Sequence, residues 1–238
     1  MKLVIGNQKA YLTRNDVIDF INNTKSGKCE NVIICPSSIY LDLYLEKSKY
    51  MVGAQNVSEK QKGATTGEDS AEQLKSLGVS YSIVGHSERR ADQKETSPML
   101  VNKIKRLFEY DITPILCVGE HLEEKEAGTT KDIVGKQVME VFDNLEDAEM
   151  EKIVIAYEPI WSIGTGKIPT NEDIIDVTNY IKDLIQDKYN KELLVLYGGS
   201  VNKGNVDQLN QIDVVDGYLI GGASTKPEEF LYIMEKCE

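Results

Sequence analysis

A closed barrel of eight parallel strands ringed by outer helices, the α/β class written (β/α)8, is the fold this sequence predicts. Two observations carry it. Eight short β-branched runs recur, each near-continuously apolar, as strands covered on both sides of a parallel sheet are. Their starts lie roughly thirty residues apart, so eight βα units fill a chain of 238 residues, near the typical size of such a barrel. A doubly wound open sheet is the competing class and normally has fewer strands. No Pro/Gly/Ser-rich tract, low-complexity segment or charge block marks a linker, so residues 1–238 read as one domain.

The first run, "KLVIG" from Lys2, leads into Asn7 and Lys9. "VIIC" from Val32 and "YMVGA" from Tyr50 follow, and the fourth run, "YSIVG" from Tyr81, exits into "GHSERR" with His86 and Glu88. In "SPMLVNKIKRLFEY", Leu100, Ile104, Leu107 and Phe108 make a helical stripe; Ser97 is the expected N-cap, with Pro98 at the first helical position. "TPILCVG" from Thr113 is the fifth run, and "IVIAY" from Ile153 is the sixth, closing on Glu158. In "TNEDIIDVTNYIKDLI", Thr170 caps, Asp173 takes the capping-box position, and Ile174, Val177, Ile181 and Leu184 form the apolar face. "LLVLYG" from Leu193 exits into the Gly-Gly-Ser of 198–200, and "GYLIGG" from Gly217 into "GGAS" at 221–224. Thr225 with Glu228 has capping-box spacing, so a helix N-terminus is expected there. Polar, titratable and glycine residues thus occupy the strand exits, the end of a barrel where chemistry collects.

Composition narrows the function classes. The net charge of −12 argues against nucleic acid or an anionic membrane as partner, so an anionic substrate would need local binding devices. No apolar run is long enough to span a bilayer, and "MKLVIGNQKAYL" lacks a signal-peptide core and cleavage site, which points to the cytoplasm. Cys29, Cys35, Cys117 and Cys237 show no CxxC spacing and read as reduced thiols. No metal spacing is present: His121, in "GEHLEEKEAG", reads as a solvated loop residue.

Each candidate has a plain reading and a functional one. A strand-end glutamate such as Glu158 is commonly just solvated; in an apolar surround it becomes a general base. His86 alone is more often a satisfied buried histidine than a catalyst. Lys9 is either a surface lysine or a fixed positive charge in the barrel mouth. "GTGK" at 164–167 lacks the Walker A spacing and the third glycine of G-x-G-x-x-G, so a lid over Glu158 is preferred to a nucleotide cradle. The two glycine pairs, at the exits of the last two strands, point backbone N–H groups at one anion, the phosphate device of such barrels.

The stretches "GNQK", "VGAQN", "GATTGE", "IVGHSERR", "ILCVGE", "AYEPIWSIGTGK", "YGGSV" and "LIGGAS" resemble triosephosphate isomerases over essentially the full length. The resemblance implies interconversion of dihydroxyacetone phosphate and glyceraldehyde 3-phosphate through an enediolate, with no metal or organic cofactor. It implies that Glu158 moves the proton and that His86 polarises the carbonyl as a neutral imidazole, a tuning for which this family is itself a standard example. It further implies that Lys9 stabilises developing charge, Asn7 places the substrate oxygen, and Glu88 is a supporting carboxylate. Gly164, Ser200, Gly221 and Gly222 would hold the phosphate. Pro159 and Trp161 would belong to the lid, with Ile163 and Leu219 pressing on the base when it closes. A homodimer formed through the loop around Thr66 is also implied.

Four positions depart from the family pattern. Gln8 stands where tryptophan is usual, Ala10 where a larger residue is, and Thr65 where an aromatic is common; all three bear on the dimer. Pro169 has no N–H to offer Tyr197 on lid closure, so closure is expected to rely on Ser200 and on packing by Trp161. Two rival readings are a barrel that binds a phosphosugar without turnover, which would lack the base or electrophile, and a Schiff-base barrel. The second needs a lysine deep in a late strand, and Lys152 only precedes its strand.

Overall fold

The computed structural model describes residues 1–163 and 167–238; Gly164 of the expected phosphate set lies outside them. Eight strands, β1 (Leu3–Asn7), β2 (Val32–Cys35), β3 (Met51–Ala54), β4 (Tyr81–Val84), β5 (Thr113–Val118), β6 (Val154–Tyr157), β7 (Val195–Tyr197) and β8 (Gly217–Ile220), pair in sequence order, all parallel. β8 closes on β1, with Ile5 opposite Leu219. The predicted (β/α)8 barrel is the fold observed.

Alternation along the strands splits the core in two. Ile5, Ile33, Ile83, Ile115, Leu196 and Leu219 point inward and fill the lumen. Their neighbours, such as Val4, Ile34, Val84 and Leu116, point outward beneath the helices. Both faces are therefore largely apolar, which is why the strands read as near-continuous apolar runs.

The helices are α1 (Arg14–Asn23), α2 (Leu41–Lys47), α3 (Ala71–Leu77), α4 (Ser87–Asp92), α5 (Ser97–Phe108), α6 (Leu122–Glu126), α7 (Thr130–Phe142), α8 (Asp147–Met150), α9 (Asn171–Tyr189), α10 (Val206–Leu209) and α11 (Pro227–Lys236). α9 has its predicted start: Thr170 and Asp173 form a reciprocal capping box. Two predicted caps are corrected. The first turn of α5 closes on Thr96, whose carbonyl accepts from the Leu100 N–H, so Thr96 holds the cap position. Ser97 falls inside the helix, where its hydroxyl donates to Glu140 at 2.5 Å. At the other site, Thr225 is consumed by a 3-10 turn over Gly222–Thr225, donating to the Gly222 carbonyl at 2.8 Å. α11 then starts after Lys226 with Pro227 in its first turn, and Glu228 stays in solvent.

Candidate active site

The strand exits converge on one cavity of about 410 Å³, lined among others by Asn7, Lys9, His86, Glu158, Ile163 and Leu219 on one side. Ser200, Gly221 and Gly222 line the other. Of the expected binding and catalytic residues, only Glu88 lies outside this lining among the described ones; it borders a neighbouring cavity of about 360 Å³ with Asn7, Lys9 and His86.

Glu158 follows β6 and is 2% exposed. Two glycines let the chain bring it there. A Cβ on Gly119, at the end of β5, would fall 1.7 Å from the Glu158 carbonyl oxygen, and one on Gly198 would meet its Cγ at 2.8 Å. The close approach allows the Glu158 N–H to donate to the Val118 carbonyl at 2.7 Å, extending the sheet by one residue. Glu158 Oε1 lies 3.0 Å from His86 Nε2, and Oε2 accepts from the Ser87 N–H at 3.3 Å. Burial alone would push this carboxyl up. The His86 ring, the Ser87 amide and the Lys9 charge outweigh it and hold the group below the usual carboxylate range.

His86 sits one glycine past the end of β4, and its Nδ1 accepts from the Glu88 N–H at 3.3 Å. An N–H aimed at Nδ1 leaves the proton of a neutral ring on Nε2, the nitrogen that faces Glu158. Burial opposes charge on this imidazole, but the adjacent Glu158 carboxylate raises it above the ordinary histidine value in the ligand-free arrangement. Across the mouth, Lys9 adopts a left-handed backbone (φ 48°) and is held by Asn7 Oδ1, which accepts its N–H at 3.1 Å. Gln55 Nε2 donates to the Lys9 carbonyl at 2.9 Å. The Lys9 ammonium meets Glu88 Oε1 at 2.5 Å, while Glu88 Oε2 is 3.7 Å from His86 Nδ1. Glu88 is therefore half-exposed and bound chiefly to Lys9 rather than to the histidine.

The segment after Glu158 forms a short 3-10 turn, Ile160–Ser162, behind Pro159. The Trp161 indole donates to Glu120 Oε1 at 2.8 Å, and the Ser200 hydroxyl donates to the Ser162 carbonyl at 3.1 Å. Tyr197 is buried, and its hydroxyl has no hydrogen-bond partner among the described residues. Ser162 and Tyr197 sit close enough for the serine to influence the phenol, whose pKa burial pushes up to about 12.

Three residues outside the sequence-predicted set belong to this architecture. Glu120, fully buried after β5, accepts from both Trp161 and the Tyr157 hydroxyl. It ends an apolar run as Glu158 does, so the same strand-exit signal marks it. Arg90 ties the β4 and β5 exits by donating to the Gly85 and Cys117 carbonyls at 2.8 and 2.9 Å. Gln55 follows β3 in "VGAQN" and carries no periodic signal of its own.

The arrangement places a buried carboxylate, an imidazole, an ammonium and a rim of backbone amides around one small cavity. It suits proton transfer beside a carbonyl on a small anion, without demanding a metal; among the described residues no cluster of metal-ligating side chains occurs. A family model described as triosephosphate isomerase matches residues 2–237. Among similar proteins, the triosephosphate isomerase of Dictyoglomus thermophilum is 40% identical over 245 aligned positions, covering 98% of each chain. That of Alkaliphilus oremlandii is 39% identical, again over 98% of each chain. That of Mycoplasmopsis pulmonis is 40% identical, over 98% of this chain and 96% of its own.

Proposed function

The chain belongs to the triosephosphate isomerase family, and we propose that Glu158, His86 and Lys9 carry the family's reaction here. It interconverts dihydroxyacetone phosphate and D-glyceraldehyde 3-phosphate, a step of glycolysis and gluconeogenesis. The observation that supports the residue roles best is the buried Glu158 carboxylate, 3.0 Å from His86 Nε2 in the cavity that Lys9 also enters.

Substrate entering this cavity displaces the His86–Glu158 contact and takes both partners. Glu158 removes a proton from the carbon beside the carbonyl. The neutral His86 ring donates its Nε2–H toward the carbonyl oxygen as charge builds there, and the Lys9 ammonium stabilises the same charge. Asn7 holds the Lys9 backbone and lines the oxygen side of the cavity. His86 Nε2, having given its proton to the carbonyl oxygen, takes the proton of the neighbouring hydroxyl and is neutral again, and the carboxyl of Glu158 returns the carbon-bound proton to the neighbouring carbon. Ser200, Gly221 and Gly222 present neutral amide groups to the phosphate, which reconciles an anionic substrate with a net charge of −12. Ile163 and Leu219 border Glu158 with apolar surface and raise its basicity when water leaves. Glu88 tempers Lys9 and orients His86 through its own backbone amide.

The single-domain reading rests on the closed barrel that runs from Leu3 to α11. A homodimer through the loop around Thr66 is supported by its exposure and by Tyr11 and Ile39, left 65% and 76% exposed at the same end of the barrel. Sedimentation should give twice the 26.7 kDa chain mass; a stable monomer would reject that part. No helix among the described residues is long and apolar enough to cross a membrane, and the cytoplasm is the compartment that fits a glycolytic role. The catalytic assignment is tested by isomerisation of glyceraldehyde 3-phosphate with Glu158→Gln alongside. Rapid turnover falling by about a hundredfold or more supports it, the loss expected for a base worth about 10²–10⁴. A variant within tenfold of the parent would reject Glu158 as the base.

A further inference from the structure

Between Asn7 and Lys9 the chain buries a primary amide. Gln8 is 1% exposed, and both ends of its side chain are engaged. Its Nε2 donates to the Ser224 carbonyl at 3.1 Å, and its Oε1 accepts from the Tyr44 hydroxyl at 2.8 Å. A carbonyl can only accept, so the Ser224 contact fixes which end of the amide is nitrogen, and the Tyr44 hydroxyl must then donate. Tyr44 is itself fully buried in α2, and Ser224 is fully buried in the 3-10 turn after β8.

The grip falls on a turn that borders the site. Ser224 donates from its N–H at 2.9 Å and its hydroxyl at 2.6 Å to the Gly221 carbonyl, so holding Ser224 holds Gly221 and the start of Gly222. On the other side, the Gln8 N–H donates to the Cys35 carbonyl at 3.1 Å, fixing the residue that precedes Lys9. The Lys9 side chain passes Gly221 closely: a Cβ there would lie 3.6 Å from Lys9 Cε. The cation and the glycine amides are thus two halves of one anion-facing surface on separate loops, and no other side-chain hydrogen bond between described residues joins segment 7–9 to segment 221–225.

We propose that Gln8, oriented by Tyr44, is a positioning residue that sets the separation between Lys9 and the phosphate-facing turn at Gly221 and Gly222. The proposal rests on the functional reading above and deepens it by assigning the phosphate geometry a buried amide bridge. Loosening the bridge lets the two halves drift apart, and a misplacement of even one ångström is costly to a preorganised site.

The test measures inorganic phosphate affinity, KM and kcat for glyceraldehyde 3-phosphate, and Tm in Gln8→Met, Gln8→Glu and Tyr44→Phe. Gln8→Met keeps the volume and loses both bonds; it should weaken phosphate binding and raise KM about tenfold. Gln8→Glu sets a carboxylate oxygen against the Ser224 carbonyl and should do at least as much. Tyr44→Phe removes only the hydroxyl that orients the amide, remains foldable, and should weaken phosphate binding about threefold. Val138→Ala, a core change remote from the cavity, lowers Tm without touching either loop. If the position 8 and 44 variants lose Tm but keep phosphate affinity and KM within twofold, the bridge is only structural and the proposal is overturned. Equal weakening in Val138→Ala overturns it as well. Failure of the unmutated protein to bind phosphate and turn over would instead reject the functional reading on which the proposal stands.

Discussion

Gly119→Ala should cripple catalysis from a residue that touches no substrate. Its Cβ would sit 1.7 Å from the Glu158 carbonyl oxygen. Carbon and oxygen approach to roughly 3.3 Å at closest, so about 1.6 Å must open between the ends of β5 and β6. The backbone has little slack there, because the Glu158 N–H is bound to Val118 at 2.7 Å and the Gly119 N–H and carbonyl are both held by Gln137. The displaced residue is the base itself. Misplacement on that scale costs on the order of 10²-fold in turnover, and the overpacking costs about 1–3 kcal/mol, or about 2–12 °C in Tm for a chain of this size. The phosphate-facing turn lies after β8, away from the clash, so inorganic phosphate affinity should hold within threefold. Steady-state kinetics, phosphate titration and calorimetry on one preparation separate these effects. A variant with parental kcat would refute the claim that the Gly119 contact positions Glu158.

The His86 ring should titrate above its ordinary value of about 6.5 in the ligand-free protein and fall below it in Glu158→Gln, because burial and the Lys9 charge then outweigh Glu88, the remaining group that favours the charged ring. Nitrogen NMR reads this directly, and an unchanged ring would count against the contact. The raised value also makes the pair's contribution to stability full below about pH 6.5, lost as pH rises through the folded-state value. On the acid side, the lowered Glu158 value makes its contribution full above about pH 4.3, lost as pH falls through the folded-state value. Tyr197→Phe should cost less than tenfold in turnover and leave Tm unchanged or higher, since it removes a buried hydroxyl that has no hydrogen-bond partner among the described residues; a loss of two orders would reject the account of Pro169. Lys103→Met breaks a buried pair with Glu95, whose side chains are 4% and 1% exposed. It should cost about 3–5 kcal/mol, a Tm drop of about 6–20 °C, with a shift under 3 °C arguing that Arg89, whose Nε also donates to Glu95 Oε1, alone satisfies the carboxylate.

The barrel was legible because both faces of its strands are buried, so each strand prints as a near-continuous apolar run, with Ser82 in β4 itself buried. Asn7, His86, Glu158 and Ser200 were legible for a related reason: a polar residue that ends such a run has to emerge at the barrel mouth. Caps were less so. Ser97 and Thr96 are adjacent and both suited to cap, and which carbonyl closes the turn depends on where the chain leaves the preceding loop. The Thr225–Glu228 spacing misled because a local 3-10 turn captured the threonine first. Contacts between distant segments were not legible at all. Gln8 and Tyr44 are 36 residues apart, and Gln8 and Ser224 are 216 apart; no periodicity encodes such pairs. The direct His86–Glu158 contact likewise needs the closed barrel to bring β4 and β6 exits together.

The central claim is that Glu158 moves a proton between neighbouring carbons. Turnover of dihydroxyacetone phosphate in deuterium oxide, with the product examined by NMR, tests it most directly. A carboxyl that carries the proton exchanges it with solvent, so product from the parent protein should contain deuterium at the carbon that gains hydrogen, and Glu158→Gln should form neither product nor exchanged substrate at a comparable rate. Product wholly free of deuterium, or undiminished exchange in Glu158→Gln, would contradict the account.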